Sequence, residues 1–247
     1  MESFNIARKI FHSSSLIAVV LYYFEILDKF EWQIFEQNTR SIAFYFLMFV
    51  VTSMIIVDLL RFKFEIIQKI FMKSVGFMLK GHESDRFQAG IPYALGLAIG
   101  VALFPKAIVV SAVLFLQAGD PAAAYFGGKY GKHRFSNGKS LEGLIAGIAV
   151  ALPTALLFII LHTIFSTDPT MALWEADSIH YGVFGILFAG ATMGFAAELI
   201  SKHGLLSDDN LIIPVVSGTV MTLLWFLYRD IPFSYILPDW RVLLLPI

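Results

Sequence analysis

Long apolar runs, separated by short polar segments, make up most of the chain. A helix that crosses a membrane needs about 20 mostly apolar residues, and seven stretches come close to that requirement. They are residues 13–27, 41–60, 90–105, 107–127, 143–164, 181–199 and 211–228. The third stretch is short and rich in glycine. The pattern therefore predicts an all-α, polytopic integral membrane protein with about seven transmembrane helices, forming one transmembrane domain over residues 1–247.

A second pattern occupies the longest polar segment, where apolar and charged positions alternate at helical spacing over residues 64–80. The apolar positions are Ile67, Ile70, Phe71, Val75 and Met78, and the charged positions on the other side are Glu65, Lys69, Lys73 and Lys80. This pattern is typical of a basic amphipathic helix that lies in the membrane interface. A solvated connector helix is the alternative.

Composition strengthens the membrane interpretation. Hydrophobic residues make up 57% of the 247 residues and charged residues only 15%, whereas soluble domains average about 25% charged residues. The absence of cysteine excludes disulfides, a thiolate nucleophile and cysteine-ligated metal centres. A formal net charge of −1 gives no electrostatic reason to expect a nucleic-acid partner.

The few cations are distributed unevenly. Of the 18 Lys and Arg residues, 13 fall in residues 1–12, 61–89, 128–142 and 200–210. Cytoplasmic loops of membrane proteins carry such an excess, so the N-terminus and these four segments are predicted to lie in the cytoplasm. No small-residue cleavage site follows the first apolar stretch, and we interpret it as a retained span. The protein is predicted to be integral to a membrane, which is the inner membrane if the source is bacterial.

Asp120 is the most conspicuous candidate for chemistry. It follows 13 uncharged residues, from Ala107 to Gly119, and an ionisable group at membrane depth is a functional candidate by default. Gly119 and Pro121 flank it and predict a broken or kinked helix. A simple ion pair with a nearby lysine is the alternative role for Asp120.

A basic, glycine-rich segment follows Asp120 and predicts a nucleotide-binding loop over about residues 119–143. Closely spaced glycines bring backbone N–H groups near a polyanion, and cations supply countercharge. The candidate residues here are Gly128, Lys129, Gly131, Lys132, Arg134, Lys139, Ser140 and Glu142. The end of the segment resembles a Walker A loop, but His133 occupies the position of that motif's first glycine. A loop that serves only to orient the protein is the alternative.

Further ionisable groups fall on the same predicted side. They are Arg8, Lys9, His12, Asp58, Arg61, Glu83, Glu198, Asp208 and Asp209, followed by the amide Asn210. Asp58 and Arg61 are three residues apart, so a simple pair on one helix face would explain them. N-capping of the last helix would explain one of the residues 208–210.

The motifs together resemble a known family. Residues 120–132 (DPAAAYFGGKYGK) and 138–143 (GKSLEG) are similar to the signature of the CTP-dependent lipid-alcohol kinases, a group that includes dolichol kinase, phytol kinase and the fungal-type diacylglycerol kinase. The resemblance covers about residues 7–220. Phosphatidate cytidylyltransferase, in the same superfamily, shares part of the signature, but residues 136–139 and the C-terminal region depart from its pattern. Pro121 is a departure from the kinase pattern and leaves open the backbone shape after Asp120.

The resemblance implies transfer of the γ-phosphoryl group of CTP to the hydroxyl of a membrane lipid alcohol, with Mg²⁺. The expected alcohol is a polyprenol or dolichol, phytol or diacylglycerol. Implied catalytic residues are Asp120, Lys139, Glu142 and Asp209, with Asp120 and Asp209 as metal ligands. Implied nucleotide-binding residues are Gly128, Lys129, Gly131, Lys132, Arg134, Ser140 and Asn210. A phosphatidate cytidylyltransferase and a transporter of an anionic solute are the alternatives.

Overall fold

The computed structural model describes residues 16–30, 34, 38–76, 86–175, 178–200, 204 and 208–231, and most of these residues are helical. The helices are α1 (residues 16–23), α2 (Asn38–Lys63), α3 (Glu65–Val75), α4 (Gly90–Leu103), α5 (Lys106–Leu114), α6 (Asp120–Tyr130), α7 (Leu141–Phe165), α8 (Gly182–Ile200) and α9 (Asp209–Tyr228). A 3₁₀ turn covers Ile26–Lys29, and two short antiparallel strands, β1 (Trp174–Glu175) and β2 (Ser178–Ile179), join α7 to α8.

The number of spans differs from the prediction. Among the described residues, five helices are long and apolar enough to cross a membrane: Asn38–Lys63, Lys106–Tyr130, Leu141–Phe165, Gly182–Leu199 and Asp209–Tyr228. The stretch predicted at 90–105 is a shorter apolar helix, because α4 ends after 14 residues and Pro105 is the N-cap of the next helix, α5. Part of the stretch predicted at 13–27 lies outside the described residues. An all-α membrane protein is confirmed, whereas a count of about seven spans is not.

The core lies between α5, α7, α8 and α9. Ile108, Ile159 and Ile213 are fully buried there, one from each of three helices. Close approach of α8 to α9 depends on small residues, since a Cβ added to Gly194 would meet the Ser217 side chain and lie 3.2 Å from the carbonyl oxygen of Ile213. Small residues at such contacts are typical of helix pairs in membranes.

Asp58 and Arg61 form a buried ion pair that joins three segments. The Arg61 Nε donates to Asp58 Oδ1 at 2.6 Å, and both side chains are fully buried. Asp58 Oδ2 also accepts from the backbone N–H of Gln88 at 2.8 Å, and Arg61 Nη1 donates to Gln68 Oε1 at 3.2 Å. The Arg61 guanidinium lies 4.5 Å from the centre of the Phe71 ring. This network links α2, α3 and the segment before α4, so the pair expected from the spacing is present and has further partners.

Helix α3 covers most of the predicted amphipathic stretch, and residues 77–80 of that stretch lie outside the described residues. Phe71 faces the protein, while Ile66 and Ile70, one turn apart, are 70% and 61% exposed. Lys69 and Lys73 are exposed as well. An exposed apolar face beside exposed lysines agrees with contact with a membrane surface, and the interfacial location stays a prediction.

Replacing Asp58 with leucine is expected to lower the free energy of unfolding by about 3 kcal/mol, because the buried Arg61 guanidinium loses its countercharge. The double variant Asp58→Leu/Arg61→Met removes both charges and is expected to recover most of this loss. Thermal unfolding in detergent measures both, with Glu65→Gln on the exposed side of α3 as the control. An unchanged midpoint in Asp58→Leu would show that the pair contributes nothing.

Candidate active site

Three carboxylates from separate helices meet at one end of the bundle. Asp120 is the first residue of α6, Glu198 lies two residues before the end of α8, and Asp209 is the first residue of α9. One carboxylate oxygen from each residue lies within 4.8 Å of the others. Glu198 is 6% exposed, while Asp120 and Asp209 are half-buried. We call these three residues the carboxylate cluster.

A local irregularity in the helix presents Asp120 to this cluster. The turn Phe115–Gly119 has π-helical geometry and joins α5 to α6, and such turns are frequent at functional sites. The helix interruption predicted around Asp120 is therefore this π-turn. Pro121 lies in the first turn of α6, where proline is tolerated. Gly119 fits tightly between two helices, since an added Cβ would collide with the Phe195 ring and lie 2.9 Å from the Gly147 carbonyl oxygen.

The same contact gives the depth of the cluster. Gly147 lies six residues beyond Leu141, the first residue of α7, which is about 9 Å along the helix axis. Asp120 directly follows Gly119, so Asp120 lies roughly that distance inside the N-terminal end of α7. Phe195 and Glu198 are three residues apart on α8 and therefore share a face, which brings Glu198 to Asp120.

Lys139 reaches the cluster from a hairpin-like loop between α6 and α7. The Phe135 N–H donates to the Lys139 carbonyl oxygen at 2.8 Å, and the Leu141 N–H donates to that of His133 at 2.9 Å. Gly138 turns the loop with a φ of +83°, a conformation that glycine adopts readily. The Lys139 Nζ forms an ion pair with Glu198 and lies 3.3 Å from Asp209 Oδ2.

The electrostatic surroundings keep Lys139 protonated. Burial opposes its charged form, but the carboxylates of Asp209 and Glu198 outweigh burial and raise the pKa of Lys139 above its usual value. The site therefore holds a fixed positive charge against three carboxylates.

Asn137 is a residue of this site that the sequence did not single out. Its Nδ2 donates to the carbonyl oxygens of Glu198 at 3.2 Å and Leu199 at 2.9 Å, and its Oδ1 accepts from the Lys139 N–H at 3.2 Å. The side chain thus satisfies carbonyls at the end of α8, which lack partners within the helix, and fixes the loop there. The sequence Asn137-Gly138 predicts a turn, but it does not predict which groups the Asn137 side chain contacts.

Asn137→Ala is expected to reduce stability by about 1–3 kcal/mol, because two hydrogen bonds to α8 are lost. Any activity of the site should fall as well, since Lys139 loses its fixed position. Thermal unfolding in detergent checks the first expectation. Asn38→Ala serves as a control, since the Asn38 Oδ1 accepts from the Ile34 N–H at 3.0 Å at the start of α2, a helix that contributes no residue to the cluster. Equal retention of activity in both variants would remove Asn137 from the site.

The start of α9 is organised by capping. Asp208 is the N-cap, and its Oδ1 accepts from the backbone N–H of Asn210 at 3.0 Å and from its side-chain amide at 2.7 Å. Burial and the adjacent Asp209 carboxylate raise the pKa of Asp208 to about 6. Capping therefore accounts for Asp208 and Asn210, while Asp209 is the residue of this run that belongs to the cluster.

Glu142 is not one of the three carboxylates that meet. Its Oε2 accepts from the His133 N–H at 3.2 Å and its Oε1 from His133 Nδ1 at 2.7 Å. Because Glu142 is in the first turn of α7, it braces the loop that carries Lys139. In the structure, Glu142 thus contacts His133 and not the carboxylate cluster. The metal or base role expected for Glu142 stays a prediction.

Several glycines of the predicted nucleotide loop serve helix packing. A Cβ on Gly131 would lie 2.6 Å from Ser140 Oγ, and one on Gly143 would lie 2.8 Å from the Ala123 carbonyl oxygen. Ser140 is 3% exposed and caps α7 by accepting from the Gly143 N–H at 3.1 Å. The α6–α7 contact therefore explains Gly131 and Ser140, for which the sequence had predicted nucleotide contacts.

The remaining candidates of the loop are exposed. Gly128, Lys129 and Lys132 face outward, with the Lys129 Nζ 5.2 Å from the centre of the Tyr130 ring. Arg134 is exposed but donates to the carbonyl oxygens of Gly138 at 2.9 Å and Gly127 at 3.1 Å, which closes the loop. Nucleotide contacts stay a prediction for these residues. Arg8, Lys9, His12 and Glu83 lie outside the described residues.

Comparison with known proteins finds relatives that include three fungal lipid kinases. The chain is 26% identical to CTP-dependent diacylglycerol kinase 1 of Saccharomyces cerevisiae, with 88% of this chain and 72% of that protein aligned. The proteins of the same name from Schizosaccharomyces pombe and Eremothecium gossypii are 27% and 24% identical, over 68% and 88% of this chain and 74% and 66% of theirs.

Two other comparisons gave no match. No protein-family model matches the chain, and no solved structure is significantly similar to it. The three fungal relatives align over most of the chain, in agreement with the resemblance of residues 120–143. These similarities support the CTP-dependent lipid kinases as the family that the chain resembles.

Proposed function

We propose that this protein transfers the γ-phosphoryl group of CTP to the hydroxyl of a membrane lipid alcohol, with Mg²⁺, and that diacylglycerol is the substrate. The observation that carries the proposal is the convergence of Asp120, Glu198 and Asp209 with Lys139 at one end of the bundle. Three relatives named as CTP-dependent diacylglycerol kinases support the nucleotide and the lipid.

The donor set of the carboxylate cluster fits Mg²⁺. Magnesium prefers oxygen ligands, above all carboxylates and phosphates, and the cluster offers three carboxylates within 4.8 Å of one another. Ionised, they carry three negative charges against the single positive charge of Lys139, which leaves a net charge of −2. Asp120, Glu198 and Asp209 would hold the ion, which when bound neutralises charge on the phosphates.

The protein's own side chains then have separate roles. Lys139 binds a phosphate oxygen, and its ion pairs with Glu198 and Asp209 fix its Nζ before the nucleotide arrives. Asp120, besides its role as a ligand, would accept the proton of the lipid hydroxyl. The exposed Lys129 and Lys132 add positive charge near the loop. Positioning and charge neutralisation carry most of the catalysis in phosphoryl transfer.

The place of the cluster suits a lipid acceptor. A hydroxyl at the head of a lipid lies near the membrane interface. At a rise of about 1.5 Å per residue, Asp120 of the cluster lies about 9 Å inside the N-terminal end of α7. CTP would come from the side of the basic loops, which the charge distribution assigns to the cytoplasm. The lipid would reach the same point laterally from the bilayer.

Isotope transfer from CTP tests the proposal. Purified protein in mixed micelles receives Mg²⁺, either diacylglycerol or phosphatidate, and CTP labelled at either the α or the γ phosphate. A kinase moves the γ label into the lipid, and CDP accumulates in equal amount. A cytidylyltransferase acting on phosphatidate would instead move the α label and release pyrophosphate, and a transporter would move neither. Either of these two results contradicts the proposal.

A further inference from the structure

The outer face of α3 mixes apolar and cationic residues in a single stripe. Four residues at the spacing i, i+3, i+4 and i+7 form this face, and all four are exposed: Ile66, Lys69, Ile70 and Lys73. Residues at this spacing share one side of a helix. We call these four residues the α3 stripe. The roles assigned to the carboxylate cluster and to the loop before α7 make no use of it.

The opposite face of α3 is held against the end of α2. Phe71 is buried there, and the Arg61 guanidinium lies 4.5 Å from the centre of its ring. Arg61, in the last turn of α2, also donates from Nη1 to Gln68 Oε1 at 3.2 Å. The inner face of α3 is thus used for contact with the protein, and the α3 stripe is the side that faces another partner.

The connection to α2 places the α3 stripe at a membrane surface. Helix α2 is long and apolar enough to cross a membrane and ends at Lys63. Phe64 alone separates it from α3 and has extended backbone, with φ −121° and ψ 113°. The chain therefore takes a new direction where the span ends. The α3 stripe lies at the end of the span that the charge distribution assigns to the cytoplasm.

The composition of the α3 stripe suits neither water alone nor hydrocarbon alone. Water would leave both isoleucines exposed, and hydrocarbon would strip water from two ammonium groups at high cost. At the interface, the isoleucines enter the acyl boundary while the lysine stems extend their ammonium groups to the headgroups. Residues 63–75 contain three lysines and one glutamate, a net charge of +2. This charge complements lipid headgroups that carry a net negative charge.

We infer that the α3 stripe binds the headgroups of anionic phospholipids in the surrounding bilayer. Lys69 and Lys73 contact the headgroup phosphates, and Ile66 and Ile70 pack against the upper acyl chains. The inference goes beyond the proposed kinase function and does not depend on it, because the bound lipid is neither the nucleotide nor the phosphoryl acceptor.

Lipid-specific fluorescence quenching tests the inference, and the absence of cysteine makes the label site-specific. Ile70→Cys carries bimane in vesicles of phosphatidylcholine and phosphatidylglycerol, in which one lipid or the other has brominated acyl chains. Bromine quenches nearby bimane, so the two quenching efficiencies give the relative binding of the two lipids at α3. We expect about a fivefold preference for phosphatidylglycerol, which corresponds to about 1 kcal/mol for one lysine near an anionic surface. High salt should reduce this preference towards one.

Controls assign the preference to the α3 stripe. Lys69→Gln/Lys73→Gln in the labelled chain is expected to bring the preference close to one, whereas Lys129→Gln/Lys132→Gln removes two other exposed lysines and should preserve it. Bimane at Phe49→Cys, on the exposed side of α2 within the span, should show no preference. Since Lys69 and Lys73 are exposed, their double variant should keep the wild-type unfolding midpoint in detergent.

Three results would overturn the inference. Equal quenching by the two brominated lipids at Ile70→Cys would show that α3 does not select anionic headgroups. Quenching by neither lipid would show that α3 is a solvated connector helix. A preference that Lys69→Gln/Lys73→Gln leaves unchanged would belong to other residues. Because the measurement uses neither CTP nor an acceptor lipid, none of these results bears on the kinase function.

Discussion

Asp120→Asn is expected to lower the kcat of CTP-dependent lipid phosphorylation by about 10²–10⁴-fold, the range for loss of a catalytic acid or base. The variant keeps the shape of the side chain but removes its charge and its ability to take a proton, and it replaces one acceptor oxygen with a donor NH2 group. Because Asp120 is half-buried beside Glu198 and Asp209, loss of one like charge should not unfold the protein. Initial rates with γ-labelled CTP measure the effect.

A matched control is available at the other end of the molecule. Asp168 is also half-buried, and its Oδ1 accepts from the Thr170 N–H at 2.9 Å in the loop after α7. Asp168→Asn should leave kcat within a factor of two or so, since surface changes away from a site have small effects. Equal activity of Asp120→Asn and Asp168→Asn would exclude Asp120 from the chemistry.

Lys139→Ala is expected to have two effects of different origin. The kcat should fall by about 10²–10³-fold, the loss that follows removal of one group that stabilises charge in the transition state. The free energy of unfolding should fall by about 3 kcal/mol, because Glu198 is left buried without its partner. Rates with γ-labelled CTP measure the first effect, and thermal unfolding in detergent measures the second.

A double variant separates the two effects. Lys139→Ala/Glu198→Gln removes both members of the ion pair and is expected to recover most of the stability but none of the activity. Lys106→Ala is the control, since the Lys106 Nζ forms an ion pair with Glu25 at 2.8 Å and has a similar exposure to that of Lys139. If the double variant recovered activity together with stability, Lys139 would have only a structural role.

The carboxylate cluster could be anticipated in part because charge is rare in this chain. Asp120, Glu198 and Asp209 all occur at the ends of apolar stretches on one predicted side, and a buried carboxylate in such a place needs a reason. Their distances in sequence gave no indication of which carboxylates would meet. Helix packing decides this, through contacts such as that of Gly119 with Gly147.

Local motifs were less informative about roles. Glu142 stands three residues from Lys139 in the signature, yet the direction of the first turn of α7 brings it to His133. Gly131 has the spacing of a phosphate-binding loop, but close helix contact requires the same residue. Asn137 acts on backbone carbonyls, which a pattern of side chains does not encode.

The predicted spans differ from the helices for a similar reason. Hydropathy predicted separate spans at 90–105 and 107–127, and the backbone does turn at Phe104 and Pro105, but α4 has only 14 residues and is shorter than a span requires. Composition also does not distinguish α-helical from π-helical hydrogen bonding. The π-turn at Phe115–Gly119 could therefore be anticipated only as an interruption near Asp120.

The central claim is that the carboxylate cluster holds the divalent ion that phosphoryl transfer requires. A titration with Mn²⁺ followed by electron paramagnetic resonance, on purified protein with a non-hydrolysable CTP analogue, tests it directly. We predict one Mn²⁺ bound per chain and displaced by Mg²⁺, an affinity at least about tenfold weaker in Asp209→Asn, and no change in Asp168→Asn. Equal Mn²⁺ affinity in the wild type and in the triple variant Asp120→Asn/Glu198→Gln/Asp209→Asn would contradict the claim.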